Sequence, residues 1–216
     1  MFNKSQISIV VADDHPIMRK GLSQELQEAG YDLVAIAENG ALALEAIVNH
    51  KPTIALLDIE MPLLTGFEVI KRSRKESPVT KFIAMTYHKE KGFVVQAKNL
   101  KVDGYMLKED GIDEIERCIE AVLNNKTYYS KSFDAGFEKI VQDELKKITL
   151  LTPSERTIIR LVAQQKTSTE IGELLLISPR TVQKHRTNII AKLDLASGTD
   201  ALSQWVLEHK ELVNTL

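Results

Sequence analysis

Short apolar runs alternate with longer stretches of helical spacing through the first 125 residues, and the alternation then stops. The runs Ile7–Ala12, Leu33–Ala37, Ile54–Leu57, Phe82–Met85 and Gly104–Leu107 read as strands. Between them lie Leu22, Leu26 and Ala29, then Leu42, Ala46 and Ile47, and later Ile112, Ile115, Ile119 and Val122, each set on one face of a helix. Five strands separated by helices predict an α/β domain with a doubly wound, five-stranded parallel sheet. The first and third runs are continuously apolar, as strands covered on both faces are.

Past Leu123 the polar stretch Asn124-Asn125-Lys126 breaks the pattern, and an aromatic pair, Tyr128-Tyr129, follows. Residues 134–148 carry Phe137, Ile140, Val141 and Leu145 at near-helical spacing and predict a linker helix. From Leu150 no strand signal remains. Thr152-Pro153-Ser154-Glu155 and Thr167-Ser168-Thr169-Glu170 both fit a capping box, Ser178-Pro179 supplies a third helix start and Thr199-Asp200 a fourth. The expected division is therefore an α/β domain over 1–125, a linker over 126–148 and a compact all-α four-helix domain over 149–216.

Composition narrows the class. Of 216 residues, 44% are hydrophobic and 27% charged, the balance of a globular rather than a disordered chain. No apolar run approaches the ~20 residues that span a bilayer, so no membrane partner is expected. No secretory signal opens the chain, and a single cysteine, Cys118, excludes an intrachain disulfide and any multi-cysteine zinc site. A cytoplasmic location is the expectation. The net charge of −2 is unevenly spread: residues 1–125 carry −4, residues 126–148 carry +1 and residues 149–216 carry +1.

The polar residues that end the strands carry the chemistry. The first strand runs into Asp13-Asp14, the third into Asp58, the fourth into Thr86 and the fifth into Lys108. Ligands of open α/β sheets bind outside the carboxyl ends of the strands, and a 2-1-3-4-5 order brings the ends of strands 1 and 3 together. Three converging carboxylates repel unless a cation sits among them, and Mg²⁺ with oxygen ligands suits such a cluster. A carboxylate such as Asp58 can act as nucleophile toward phosphorus, with Lys108 neutralising charge and the Thr86 hydroxyl donating to a phosphoryl oxygen. Singly, each of these residues reads more simply as a cap or a solvated polar group; Asp14-His15-Pro16 has the form of a helix entry, and His15 is assigned there.

Together, Asp13-Asp14, Asp58-Ile59-Glu60-Met61-Pro62 with Gly66, Thr86 and Lys108 resemble the flavodoxin-like receiver domain of bacterial response regulators, over about residues 5–125. The resemblance implies that Asp58 accepts phosphate from a sensor histidine kinase, with Asp13, Asp14, Asp58 and the Glu60 carbonyl around Mg²⁺. It implies no enzyme beyond phosphoryl transfer to itself and its reversal. Tyr105 falls at the family's aromatic switch, which moves with Thr86; on physical grounds alone it reads as a half-buried strand residue. Tyr87, after Thr86, is bulkier than the small residue many receivers have there and narrows access to the site.

The segment Pro179–Leu193 carries Arg180, Lys184, His185, Arg186 and Lys192 and not one acid. Val182, Ile189 and Leu193 are spaced to pack inward, leaving Gln183, Lys184 and Thr187 outward, where base edges are read. With the preceding helix, about Ser168–Leu175, it predicts a helix-turn-helix whose second helix enters the major groove of double-stranded promoter DNA. Arg180, Arg186 and Lys192 are assigned to phosphates, and Thr181 and Asn188 complete the set of DNA contacts. Leu151-Thr152-Pro153-Ser154-Glu155-Arg156, Glu170-Ile171, Ser178-Pro179-Arg180-Thr181-Val182, Lys184-His185 and Leu193-x-Leu195 resemble the LuxR-type effector domain, so the whole chain is similar to the NarL/FixJ subfamily. Departures are Gln165 in place of the usual Gly and Gly172 in place of the usual Ala, the latter weakening its helix by up to ~1 kcal/mol. The resemblance further implies that the last helix, with Leu202, Trp205 and Val206, pairs two copies when the protein is phosphorylated or bound to DNA.

Two other classes fit parts of the pattern. An aspartate-nucleophile phosphatase would use a similar sheet and a second acid two residues after the nucleophile, where Glu60 stands; turnover of free phosphate esters separates it. A receiver whose helical half docks a protein instead of DNA is separated by a salt-dependent DNA shift.

Overall fold

A computed structural model describes residues 2–87, 91–133, 143, 145–195, 201–209 and 213. The chain divides into two compact units, residues 1–89 with 97–134, and residues 90–96 with 135–216.

The first unit is a wholly parallel six-stranded sheet in the order β2-β1-β3-β4-β5-β6. Its strands are β1 (Ser8–Ala12), β2 (Asp32–Ala37), β3 (Ile54–Asp58), β4 (Lys81–Thr86), β5 (Gly104–Leu107) and β6 (Tyr128–Tyr129). Its helices are α1 (Pro16–Glu28), α2 (Gly40–His50), α3 (Gly66–Glu76) and α5 (Ile112–Leu123); α4 (Lys91–Asn99) follows β4 along the chain and is divided between the two units. Alternate strand residues point to opposite faces. Ile9, Val11, Ile54, Leu56, Ile83, Met85 and Met106 form one core with Leu22 and Leu26 of α1 and Ile115, Cys118, Ile119 and Val122 of α5. Their neighbours in the strands, among them Val10, Ala55, Leu57 and Ala84, are equally buried on the other face, where α2 packs against β1 and β2, α3 against β4, and α2 and α3 against each other. Burial on both faces is why β1, β3, β4 and β5 read as unbroken apolar runs.

The expected five strands are present in the expected order, and a sixth adds to them. Tyr128-Tyr129, assigned to the linker from the sequence, pairs with β5 in register Gly104↔Tyr128 and Tyr105↔Tyr129. Two residues are too short to show a strand period. What holds them is Glu114 of α5, whose Oε1 accepts from Tyr128 Oη at 2.5 Å and from the Lys131 amide at 3.1 Å.

The second unit contains α6 (Pro153–Ala163), α7 (Ser168–Leu175), α8 (Pro179–Leu193) and α9 (Ala201–Glu208). Both capping boxes form with their reciprocal bonds, at Thr152/Glu155 and Thr167/Glu170, and Ser178 caps α8 through the Thr181 amide. Ile158, Ile159, Val162, Ile171, Val182, Ile189, Leu193, Leu202, Trp205 and Val206 are among its buried apolar side chains. Gln165 has φ +61°, the left-handed region where a glycine costs least, which accounts for the residue usual at that place. Of the linker helix expected over 134–148, residues 143 and 145–148 are helical; Phe137, Ile140 and Val141, like the Thr199-Asp200 helix start, lie outside the described residues.

Candidate functional site

The carboxyl ends of β1, β3, β4 and β5 lie side by side, and each contributes a buried polar residue. Asp13, Asp58, Thr86 and Lys108 are all at most 5% exposed, where charge is tolerated only when paired. Lys108 supplies the pairing: its Nζ lies 2.7 Å from Asp58 Oδ2 and 2.9 Å from Asp13 Oδ2. Its amide donates to the Thr86 carbonyl at 2.7 Å, fixing the ends of β4 and β5 together. The second Asp58 oxygen, Oδ1, accepts from the Glu60 amide at 3.1 Å.

Burial pushes the Asp58 carboxyl up to about 6, against the pull of Lys108; the neighbouring Asp13 charge adds to the rise. Burial works against the Lys108 ammonium too, but Asp58 and Asp13 outweigh it and raise its pKa. The result is a buried carboxylate paired with a buried cation, and two backbone features lie beside it. Gly66 follows a turn in which its amide donates to the Ile59 carbonyl at 2.8 Å, and Thr65 with Glu68 closes a capping box at the start of α3. That box has the same Thr-x-x-Glu form as the two recognised in the second half, and was there to be read in the sequence.

One ligand atom from each of Asp13, Asp14, His15 and Asp58 falls within 4.8 Å of the others. Three carboxylates at that separation are a hard oxygen donor set and fit a small divalent cation. Glu60, expected to contribute its carbonyl, follows two residues after Asp58 and is exposed. Tyr105 is fully buried, deeper than its half-buried expectation, with its ring 5.3 Å from Phe133 and 6.1 Å from Tyr129 by centroids. Tyr87 is 55% exposed, and its ring stands over Lys108 Nζ at 5.1 Å.

In the second unit, α7 and α8 are joined through Leu176, whose φ of +55° turns the chain, and the Ile177 amide donates back to the Gly172 carbonyl at 2.9 Å. Val182, Ile189 and Leu193 face inward as expected, at 1% exposure or less. Arg180, Gln183, Lys184, Thr187 and Asn188 are exposed along α8, and Thr181 is partly covered. Two of the expected phosphate contacts are placed differently. Lys192 Nζ is 2.6 Å from Oε2 of the buried Glu155, an internal ion pair. Arg186 is half-buried, and burial pulls its guanidinium down from its ordinary value. The expected pairing residues need a correction as well. Leu202, Trp205 and Val206 are each at most 6% exposed within one chain, so they are core, while Leu207 of the same helix is 65% exposed.

Comparison with known proteins follows the same division. The response regulator receiver domain family matches residues 9–120, and the luxR family of bacterial regulatory proteins matches residues 149–204. The transcriptional regulatory protein MctR of Rhizobium johnstonii is 31% identical over 97% of both chains, and DegU of Brevibacillus brevis is 27% identical over 93% of both. A DNA-binding response regulator of the LuxR family from Staphylococcus aureus covers 54% of this chain and 98% of its own, at 34% identity and a TM-score of 0.52. A structure of two RcsB dimers bound to two parallel DNAs covers 94% of this chain and 98% of its own; at 22% identity and a TM-score of 0.62 it shows a shared fold. Among the described residues no helix is long and apolar enough to cross a membrane. The carboxylate–lysine recess of the first unit and the helix-turn-helix of the second are thus the two halves of one architecture, and the chain belongs to the response regulators of two-component systems that join a receiver domain to a LuxR-type DNA-binding domain.

Proposed function

We propose that Asp58 is the phosphoacceptor and that its phosphorylation by a sensor histidine kinase controls pairing of two chains on promoter DNA. The observation that carries this is Lys108 held between Asp58 and Asp13 in a buried recess. In the transfer, one Asp58 oxygen attacks phosphorus, the bond from phosphorus to the donor nitrogen breaks, and an acyl phosphate forms on Asp58. Asp13, Asp14, Asp58 and the Glu60 carbonyl would hold Mg²⁺, which when bound offsets charge on the phosphoryl oxygens. Lys108 stays within reach of the new phosphate and pairs with it, and the Thr86 hydroxyl is the donor assigned to a phosphoryl oxygen. The added charge of about −1.5 to −2 redistributes the partners of Lys108 and biases the receiver surface, with Thr86 and Tyr105 as the moving parts. The protein's chemistry is confined to this self-directed transfer and its reversal.

The exposed face of α8 supports the DNA half of the reading. Arg180, Thr181, Gln183, Lys184, Thr187 and Asn188 are the contacts assigned to it. Arg186 and Lys192 join them only where their internal environments release them. The assigned spans are 1–125 for the receiver, 126–148 for the linker, which contains β6, and 149–216 for the effector domain, in a protein that works in the cytoplasm.

The test is labelling with a small-molecule phosphodonor and Mg²⁺, read by intact mass, beside a DNA shift assay. Wild type gains one phosphate and tighter DNA binding; Asp58→Asn gains neither while keeping its circular dichroism. A mutant that still takes one phosphate under native conditions overturns the assignment.

A further inference from the structure

We propose that His15 is a nitrogen ligand of the divalent cation held by Asp13, Asp14 and Asp58, and that it shifts the site's preference from Mg²⁺ toward borderline transition ions such as Mn²⁺ and Co²⁺. The proposal rests on reading those carboxylates as a cation site.

His15 occupies the N-cap of α1, a position that favours Ser, Thr, Asp or Asn because their side chains bond the free amides of the first turn. Its side chain makes no such bond. Pro16 follows at the first helical position and keeps His15 extended, at φ −81° and ψ 111°. The imidazole is aimed at the carboxylates instead. Nδ1 lies 2.8 Å from Asp14 Oδ1 and 3.4 Å from Asp13 Oδ1.

The two oxygens of Asp13 thereby face different partners. Oδ2 meets Lys108 at 2.9 Å, while Oδ1 accepts the His15 amide at 2.8 Å and looks toward its ring. A cation placed on the Oδ1 side does not compete with Lys108 for the same oxygen. In an octahedron with bonds of about 2.1 Å, neighbouring ligand atoms are roughly 3.0 Å apart and opposite ones roughly 4.2 Å. The Nδ1 separations of 2.8 and 3.4 Å bracket the shorter distance, and one donor atom from each of the four residues falls within 4.8 Å of the others. His15 Nδ1 is thus spaced from the two carboxylates as neighbouring ligands are. Tyr87 stands edge-on to the ring, 6.2 Å between centroids.

An imidazole nitrogen changes what the site selects. Mg²⁺ takes oxygen almost alone, whereas affinity for sites with nitrogen rises from Mn²⁺ through Co²⁺. One such ligand among carboxylates narrows the advantage of Mg²⁺ without abolishing its binding.

The test uses the full chain loaded with Mn²⁺ and examined by pulsed electron paramagnetic resonance, with natural-abundance and ¹⁵N-histidine-labelled protein. Affinities for Mn²⁺, Co²⁺ and Mg²⁺ are measured in parallel by competition. The expected result is an imidazole ¹⁴N coupling that changes to ¹⁵N on labelling and is lost in His15→Gln. The ratio of Co²⁺ to Mg²⁺ affinity should fall on the order of tenfold in that variant, with Mg²⁺ binding retained. Binding that Asp58→Asn removes, with no histidine coupling and an unchanged metal ratio in His15→Gln, overturns the role of His15 alone. If no divalent ion binds, or if Asp58→Asn leaves binding intact, the cation-site reading fails and takes this proposal with it.

Discussion

Gly66 lies directly against the backbone of Asp58: a methyl group on Gly66 would come within 2.2 Å of the Asp58 carbonyl oxygen. Asp58 and the first residue of α3 are thus in backbone contact, and the turn between them has no room for a side chain there. Gly66→Ala must push the turn away, at a cost of about 1–3 kcal/mol. Urea unfolding should show that loss, and phosphodonor labelling should slow. Wild-type values for both would mean that the turn relaxes freely.

Lys108 faces two carboxylates that are each 3% exposed. Lys108→Ala leaves them buried without a counter-charge, which costs roughly 3–5 kcal/mol near neutral pH. The deficit should shrink as the pH is lowered and Asp58, whose pKa burial already raises, takes up a proton. Labelling of Asp58, or the change in oligomeric state that follows it, should fail. An unchanged labelling rate together with an unchanged oligomeric shift rules out the role assigned to Lys108.

Glu155 gives the second domain an acid-sensitive joint. Burial pushes its carboxyl up, but the Lys192 ammonium and the Thr152 amide and hydroxyl outweigh that and hold it below its ordinary value. A depressed folded-state pKa contributes stability that is complete above the ordinary carboxylate pKa and disappears as the pH falls through the folded one. Glu155→Gln should lower stability at neutral pH and flatten the acid limb of a pH–stability curve for the 149–216 half. Parallel curves for the two proteins would exclude it.

Gly172 reverses an expectation drawn from helix propensity. Alanine is the better helix former by up to ~1 kcal/mol, yet a methyl here would meet the Ile177 carbonyl oxygen at 2.8 Å and the Pro179 nitrogen at 3.3 Å. The turn of the helix-turn-helix is folded onto this glycine. Gly172→Ala should therefore lower the thermal midpoint of the second domain, and a higher midpoint would show that propensity wins.

On α8, Lys184 is exposed and is assigned to base edges, Arg180 to phosphate. Lys184→Ala should cost roughly 1–3 kcal/mol at one or two base pairs and relax specificity there. Arg180→Ala should weaken binding to all sequences alike and reduce the salt slope by about one unit. Binding to a panel of single-base operator variants at fixed salt separates the two outcomes. A uniform loss for Lys184→Ala would move it to the phosphate group.

What was legible in the sequence was what local pattern controls. Strands covered on both faces announce themselves as apolar runs, and the boxes at Thr152 and Thr167 announce helix starts by a fixed spacing. The polar strand ends were legible because the parallel topology brings them to one edge of the sheet. The rest depends on contacts between distant residues. Tyr128-Tyr129 is a strand because Glu114, fourteen residues earlier, accepts the tyrosine hydroxyl. Lys192, expected to face phosphate, is paired within the domain to Glu155, thirty-seven residues before it. Helix stops were hidden for a different reason: Lys51, Leu176 and Asp194 take the left-handed conformation at C-caps without being glycine, so no composition signal marks them.

The rings around Tyr105 tie two degrees of freedom into one. Tyr129 and Phe133 arrive with the chain that leaves α5, and both lie against the Tyr105 ring. The Ser130 amide also donates to the Tyr105 carbonyl at 3.0 Å. The segment by which the polypeptide leaves the sheet is thus part of the wall around the Tyr105 ring. The environment of one buried tyrosine and the path of the outgoing chain are built from the same contacts.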